Sequence, residues 1–299
     1  MKKMIFLISL FLFLIGCKNK VEDKLVIGII SPSLNHLPLT FALDQNLLSS
    51  EEIKLIKLSS GWEANEALIS GSVDVAILPF TYIWRDIAND KKVKIISFLE
   101  RESDGLIGRN INSPADLEGK KIGVLKASTL DILAEIFLQQ YNITAELVYF
   151  RNPMEMSAAL RANQVDALSF YVPIIYQFPQ EFHIFHWFSD DDPAHPCCDI
   201  ASSETALKNK KQKIRRLLKA LEESCLLIES QPQTVIDFIQ KQYNISPNLA
   251  LKSLEHTRFE MGLQEEGKRF EEKVSAKMIE MGYQSVNLTA EGVYFEIRY

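Results

Sequence analysis

The sequence has no stripe of lysine and arginine interleaved with aromatics, so nothing in it points to a nucleic-acid partner. It has no Walker A loop, no HExxH or GxGxxG motif and no visible nucleophile–base pair, which leaves chemical turnover without an apparatus. Cysteine is scarce: Cys17, the adjacent Cys197 and Cys198, and Cys225 complete the set. The apolar stretch at residues 5–15 is too short to be a comfortable membrane span. What remains is ordinary globular composition, 47% hydrophobic and 24% charged over 299 residues. That length suits one large domain or two medium ones with a sizeable core.

The N-terminus reads as a targeting segment. Lys2 and Lys3 precede the apolar stretch, which ends in Leu14-Ile15-Gly16-Cys17. This ending resembles the lipobox of bacterial lipoproteins, which implies a signal peptide over residues 1–16 and acylation of Cys17. Loss of Lys2 and Lys3 would take the formal net charge from −6 to nearer −8. Residues 17–23 read as a polar tether that holds the domain outside the membrane.

From residue 24 the chain alternates strand and helix. Residues 24–30 (KLVIGII) predict a strand, 37–45 a helix and 53–58 a half-exposed strand. The stretch GWEANEALISGSVDVAILPF, residues 61–80, reads as a Gly-Trp loop, a helix, a tight turn at Gly71 and a buried strand stopped by Pro79. A helix at 82–88 and a strand at 92–100 follow, and residues 104–111 read as a crossing segment. Then the pattern restarts. Gly123 lies 95 positions after Gly28, and Asp166 lies 92 after Asp74. Ser128 and Asp131 have the spacing of a capping box, and Asn152-Pro153 opens another helix. Each half thus reads β-α-β-α-β, which predicts two α/β lobes facing each other across a cleft at their strand ends. Beyond residue 205 the chain is helical, with Ile214, Leu217, Leu218, Leu221, Cys225 and Ile228 on one face. This tail is expected to pack outside the first lobe.

These features resemble the type II periplasmic substrate-binding proteins of ABC importers. Within that class the likeness is to the branch for sulfonates, nitrate, taurine and thiamine-pyrimidine precursors. The residues that carry it are ALISGSVDVA at 67–76, SPADLEGKKIGV at 113–124, RANQVDA at 161–167, the lipobox and the helical tail. The resemblance implies an α/β fold of two lobes, each a mostly parallel sheet flanked by helices, with a helical C-terminal extension. It places the two crossings near residues 106–112 and 198–203. Lobe one would then hold residues 24–108 and 200–299, and lobe two residues 109–199.

Residues just past strand ends are the candidate cleft lining: Ser31, His36, Gly61, Trp62, Phe80 and Thr81 in lobe one, and Lys126, Ser128, Thr129, Arg151, Asn152 and Tyr171 in lobe two. Ser128 and Thr129 open a helix, where free N–H groups favour an anionic or strongly accepting ligand. Trp62 and Tyr171 offer ring faces. Asp74 and Asp166 read as turn residues bonded to local backbone. The family pattern often has an acidic residue before the proline that follows the second lobe's last strand. Here that position is Val172, which weighs against a ligand needing a carboxylate there, such as an amine-bearing pyrimidine.

His183, His186, His195, Cys197 and Cys198 form a second constellation of metal-ligand types. Fungal pyrimidine-precursor synthases related to the family carry a cysteine cluster and are iron enzymes. This sequence has only the adjacent pair with His195 before it, and small buried residues beside the second crossing are the plainer reading. The resemblance implies capture without chemistry, with no catalytic residue and no cofactor. A small organic solute, either anionic or flat and heterocyclic, would be presented to an ABC permease at the cell envelope. The rival is a metal-dependent enzyme of the same fold.

Overall fold

Two aspartates 92 residues apart do the same job. Asp74 accepts the Val26 amide on its Oδ2 at 2.8 Å and donates its own amide to the Val26 carbonyl. Asp166 makes the same pair of bonds to Lys121, with Oδ2 at 2.9 Å. Each aspartate bonds backbone, but on a strand 48 or 45 residues away rather than in its own turn as expected, and so pins the start of a central strand. The computed structural model describes residues 24–193 and 195–297. The expected signal peptide, the expected acylation site Cys17 and the expected tether lie outside the described residues.

The first half runs β1 (Leu25–Ile30), α1 (Leu37–Asp44), β2 (Ile53–Leu58), α2 (Gly61–Ile69), β3 (Val75–Pro79), α3 (Phe80–Ala88) and β4 (Val93–Arg101). The second runs β5 (Asp104–Arg109), β6 (Lys121–Leu125), α4 (Thr129–Gln140), β7 (Glu146–Phe150), α5 (Pro153–Arg161), β8 (Ala167–Tyr171) and β9 (Phe182–Trp187). The chain then returns through β10 (Pro196–Ser203) to the helices α6 (Glu204–Asn209), α7 (Lys211–Ser230), α8 (Pro232–Tyr243) and α9 (Pro247–Glu255). Strand β11 (Arg258–Gly262) and helix α10 (Glu265–Glu280) follow.

The strands form two sheets, ordered β11-β4-β10-β3-β1-β2 and β7-β6-β8-β5-β9. In each, a central strand pairs in parallel with its two successors, β1 with β2 and β3, and β6 with β7 and β8. The two-lobed α/β architecture read from the sequence is the one found. Both sheets are mixed, because β4, β10 and β11 in one and β5 and β9 in the other run antiparallel to their neighbours.

The crossings lie elsewhere than the sequence suggested. Residues 104–109 are a buried strand of the second sheet, so the chain crosses at Glu102-Ser103 and returns between Trp187 and Pro196. Two glycines gave this stretch its loop-like look. Gly105 is glycine for another reason: a Cβ there would meet Trp187 at 2.8 Å.

Helix α7 packs on α1 through Ile214, Leu217, Leu218 and Leu221, as its periodicity predicts. Helices α8 and α9 differ from expectation. Val235, Ile236, Ile239 and Ala250 share one apolar cluster with Phe41 of the first half and with Phe170 and Ile175 of the second, so the tail leans on both lobes. Helix α10 is anchored below the first crossing. Its buried Glu271 accepts the Trp84 Nε1–H and the Tyr294 hydroxyl, each at 2.7 Å.

Candidate functional site

The site is built where the strands stop. Strand β3 ends at Pro79, and Ser60 caps α2 by accepting the Glu63 amide. Gly61 starts that helix and lets Tyr82 approach, since a Cβ on it would meet Tyr82 at 2.9 Å and Pro79 at 3.0 Å. Opposite them, β6 delivers the N-terminus of α4 at Ser128 and Thr129, and β8 ends in Tyr171. Both crossings run along the floor. A cavity of about 40 Å³ lies between these parts. Glu100, Asp104, Cys197, Cys198, Asn35 and Tyr171 are among its lining residues.

The floor is acidic. Glu100 and Asp104 are buried, and Glu100 Oε1 and Oε2 and Asp104 Oδ2 have no donor at hydrogen-bonding geometry among the described residues. Burial raises both carboxyl pKa values, and the charge of Asp104 raises Glu100 further. The neighbouring Ser103 hydroxyl and Cys197 thiol, and at Glu100 also the Cys198 amide, offset only part of this. Two buried carboxyls with raised pKa values favour keeping a proton on the pair, which offers the cavity they line a donor as well as acceptors.

Cys197 and Cys198 both line the cavity, although neighbours on a regular strand face opposite ways. A register shift in the β10–β4 pairing at these residues turns both inward, with the sulfurs 3.8 Å apart. The Cys197 thiol is pushed up by its hydrogen bond with Cys198 and by burial, and the Cys198 thiol by burial. Both are therefore held as S–H, the form that neither attacks nor ligates. The ligating atoms of Glu100, Cys197 and Cys198 lie within 4.8 Å of one another, so this trio could hold an ion only by releasing thiol protons. His195 stands apart from the trio, its Nδ1 donating to the Asp192 carbonyl at 3.1 Å and its Nε2 4.0 Å from Asp104. Burial lowers its pKa to about 4, so it is neutral. His183 and His186 are on β9, in the second sheet, and His186 pairs with Asp191 at 2.8 Å.

Four of the twelve sequence candidates line this cavity: Gly61, Ser128, Thr129 and Tyr171. The Ser128 hydroxyl does not cap α4. It donates to the Leu125 carbonyl, and Asp131 takes the Ala127 amide instead. Thr129 donates to the Cys197 carbonyl at 3.2 Å, tying α4 to the floor. Trp62, Lys126 and Arg151 line a separate chamber nearer the surface. Trp62 belongs to the first turn of α2 and not to a loop.

The other five do not line either chamber. Phe80 is fully buried in the core, because α3 begins directly after Pro79 and turns that side chain inward. Thr81, also buried, donates to the Ala127 carbonyl across the cleft at 3.0 Å. His36 is buried, with its pKa lowered to about 3 by desolvation, and its neutral ring donates to Asn35 Oδ1. It thereby aims the Asn35 amide at Cys198 Sγ, 3.1 Å away. Asn152 is spent capping α5, and the Ser31 amide pairs with the Leu58 carbonyl.

Glu100 and Asp104 escaped the sequence reading. They end the charged run ERESD at 100–104, and read only as the last residue of a strand and the first of a crossing segment. The signal was there: a strand end followed at once by a crossing places its charges at the lobe junction.

A family profile described as NMT1/THI5 like matches residues 33–235. A protein of Brucella abortus, named as a candidate binding protein, is 22% identical over 183 residues, which is 59% of this chain. The chain spans only 57% of the length of that curated relative. Among solved structures, the alkanesulfonate-binding protein SsuA of Xanthomonas axonopodis pv. citri bound to MOPS superposes with a TM-score of 0.81 at 16% identity. The match covers 92% of this chain and 98% of that one. The periplasmic nitrate-binding protein NrtA of Synechocystis gives 0.74 at 14% identity, over 90% and 84%. These likenesses show the periplasmic-binding-protein fold, and the match over residues 33–235 shows that the chain belongs to the NMT1/THI5-like family.

Proposed function

We propose that this chain is an extracytoplasmic solute-binding protein, anchored through an acylated Cys17, that delivers a small planar solute to an ABC permease. The solute carries a nitrogen-borne donor edge, as an aminopyrimidine does. The observation that supports this most is the Glu100–Asp104 pair in the cavity between the lobes. Buried carboxyl oxygens without donors are costly, and a ligand that supplies N–H groups removes that cost. The carboxylate missing at Val172 is thus supplied from the crossing instead. The same pair speaks against the anionic half of the sequence expectation, because sulfonate or nitrate would sit against an acidic floor. The cavity holds only a few waters, so a planar solute enters as the lobes part and is enclosed as they close.

Thermal denaturation with a panel of candidate solutes tests this reading. A hydroxymethyl aminopyrimidine at a hundred times its dissociation constant should stabilise the protein by about 2.7 kcal/mol. Stabilisation by alkanesulfonates or nitrate, with none by aminopyrimidines, would contradict it.

A further inference from the structure

A second chamber of about 380 Å³ lies outside the acidic one. Its lining includes Trp62, Tyr82 and Arg85 from the first lobe, Lys126 and Arg151 from the second, and Tyr283 beyond α10. Tyr82 lines both chambers, and its hydroxyl donates to the Lys126 carbonyl at 3.2 Å. The ring is therefore the partition between them.

The chambers have opposite character. The outer one gathers three cations and flat rings. The Arg85 guanidinium lies 5.5 Å from the Trp62 ring and 5.3 Å from the Tyr82 ring, and Lys126 Nζ lies 5.8 Å from the Tyr149 ring. A ring face steadies a cation without neutralising it. The nearby carboxylates are engaged: Asp86 by Arg85 at 3.3 Å, and Asp131 by the Tyr283 hydroxyl and the Ala127 amide, both at 2.7 Å. Arg85 is thus partly balanced by Asp86, whereas Lys126 and Arg151 have no carboxylate at salt-bridge distance among the described residues, so an anion between the lobes gains most from these two.

We propose that the outer chamber is an oxyanion subsite, so that the transported solute is dipolar. The nitrogen-bearing ring fills the acidic chamber, and a phosphate, sulfonate or carboxylate reaches past Tyr82 to Arg85, Lys126 and Arg151. Trp62 offers its face to the part of the solute between. Only the identity of the head group rests on the function proposed above. Because Arg85 belongs to one lobe and Lys126 and Arg151 to the other, the anion gains its full contacts only when the lobes are closed, and it therefore favours closure.

Phenyl phosphate, which has no nitrogen head, is the test ligand, with benzyl alcohol as its uncharged counterpart and benzenesulfonate to tell the oxyanions apart. Calorimetry on the full chain should show phenyl phosphate binding where benzyl alcohol does not. The affinity should fall about tenfold or more in the triple variant Arg85→Gln/Lys126→Gln/Arg151→Gln and should not fall in Lys219→Gln, an exposed cation on α7 that lines neither chamber. Arg151→Gln alone, on an exposed residue, should lose about two- to fivefold, which keeps the test open if the triple variant misfolds. Equal binding of phenyl phosphate and benzyl alcohol, or full retention in the variants, overturns the subsite. If phenyl phosphate binds and aminopyrimidines do not, the head-group reading fails while the oxyanion subsite stands.

Discussion

Glu100 and Asp104 put the ligand's chemistry and the protein's stability on the same atoms. Each has a folded pKa above its ordinary value near 4, so the folded state keeps a proton that the unfolded chain releases. That stabilisation is complete below the ordinary carboxylate pKa and is lost as pH rises through the folded one. His36 and His195 act oppositely. Their lowered values favour the fold above the ordinary 6.5, and the benefit is lost as pH falls towards about 3 and about 4. Above pH ~7 the histidines no longer contribute a slope. Urea unfolding should therefore show stability falling as pH rises beyond neutrality, with a shallower fall in Glu100→Gln. A wild-type curve that stays flat, or one that Glu100→Gln leaves unchanged, would contradict the assignment. The strand-end rule led to cavity-lining residues at Gly61, Ser128, Thr129 and Tyr171, but not at Ser31, which directly follows β1. It failed at Phe80 and Thr81 because α3 starts without a loop, and at Glu100 because that residue reads as the last of a strand rather than as one past its end.

Helix α2 shows how one element serves the site. Ser60 accepts the Glu63 amide at 3.2 Å, and the Glu63 carboxylate takes the Ser59 amide at 2.8 Å. This reciprocal capping fixes the first turn, which carries Gly61 to the inner chamber and Trp62 to the outer one. Ser60→Ala should destabilise the protein by about 1 kcal/mol, read from the denaturant midpoint at unchanged slope. No loss of stability would mean that the cap is idle. Strand β10 contributes differently, through the irregular pairing that turns Cys197 and Cys198 to the same cavity. Periodicity made α7 legible, since its apolar face recurs every three or four residues. The bulge in β10 was not legible, because it depends on the register with β4, which no local pattern encodes. Strand β11 was missed for a related reason: it is a short edge strand recruited by β4.

At the scale of the molecule, the lobes are held together across the cleft by a small set of polar contacts. Thr81 and Tyr82 reach the carbonyls of Ala127 and Lys126, and Tyr283 reaches Asp131, whose pKa burial pushes up to about 6. All three bonds end at the start of α4, so that helix N-terminus is the latch. The double variant Thr81→Val/Tyr283→Phe should shift the free protein towards an open form, seen as a larger radius of gyration by solution scattering. An unchanged radius would show that the apolar cluster shared by α8, α9 and both halves holds closure instead. The duplication behind this design was visible in the spacing of Gly28 and Gly123 and of Asp74 and Asp166, and the paired strand-pinning bonds give it a structural basis.

The central claim is that the acidic floor selects a nitrogen-bearing solute. The most direct measurement is calorimetric titration of the wild-type protein and of Glu100→Gln with a hydroxymethyl aminopyrimidine, beside an alkanesulfonate. The account predicts binding of the aminopyrimidine by the wild type and a loss of about tenfold or more in Glu100→Gln, with no such loss for the alkanesulfonate. Binding of the alkanesulfonate with none of the aminopyrimidine, or aminopyrimidine affinity untouched by Glu100→Gln, would contradict it.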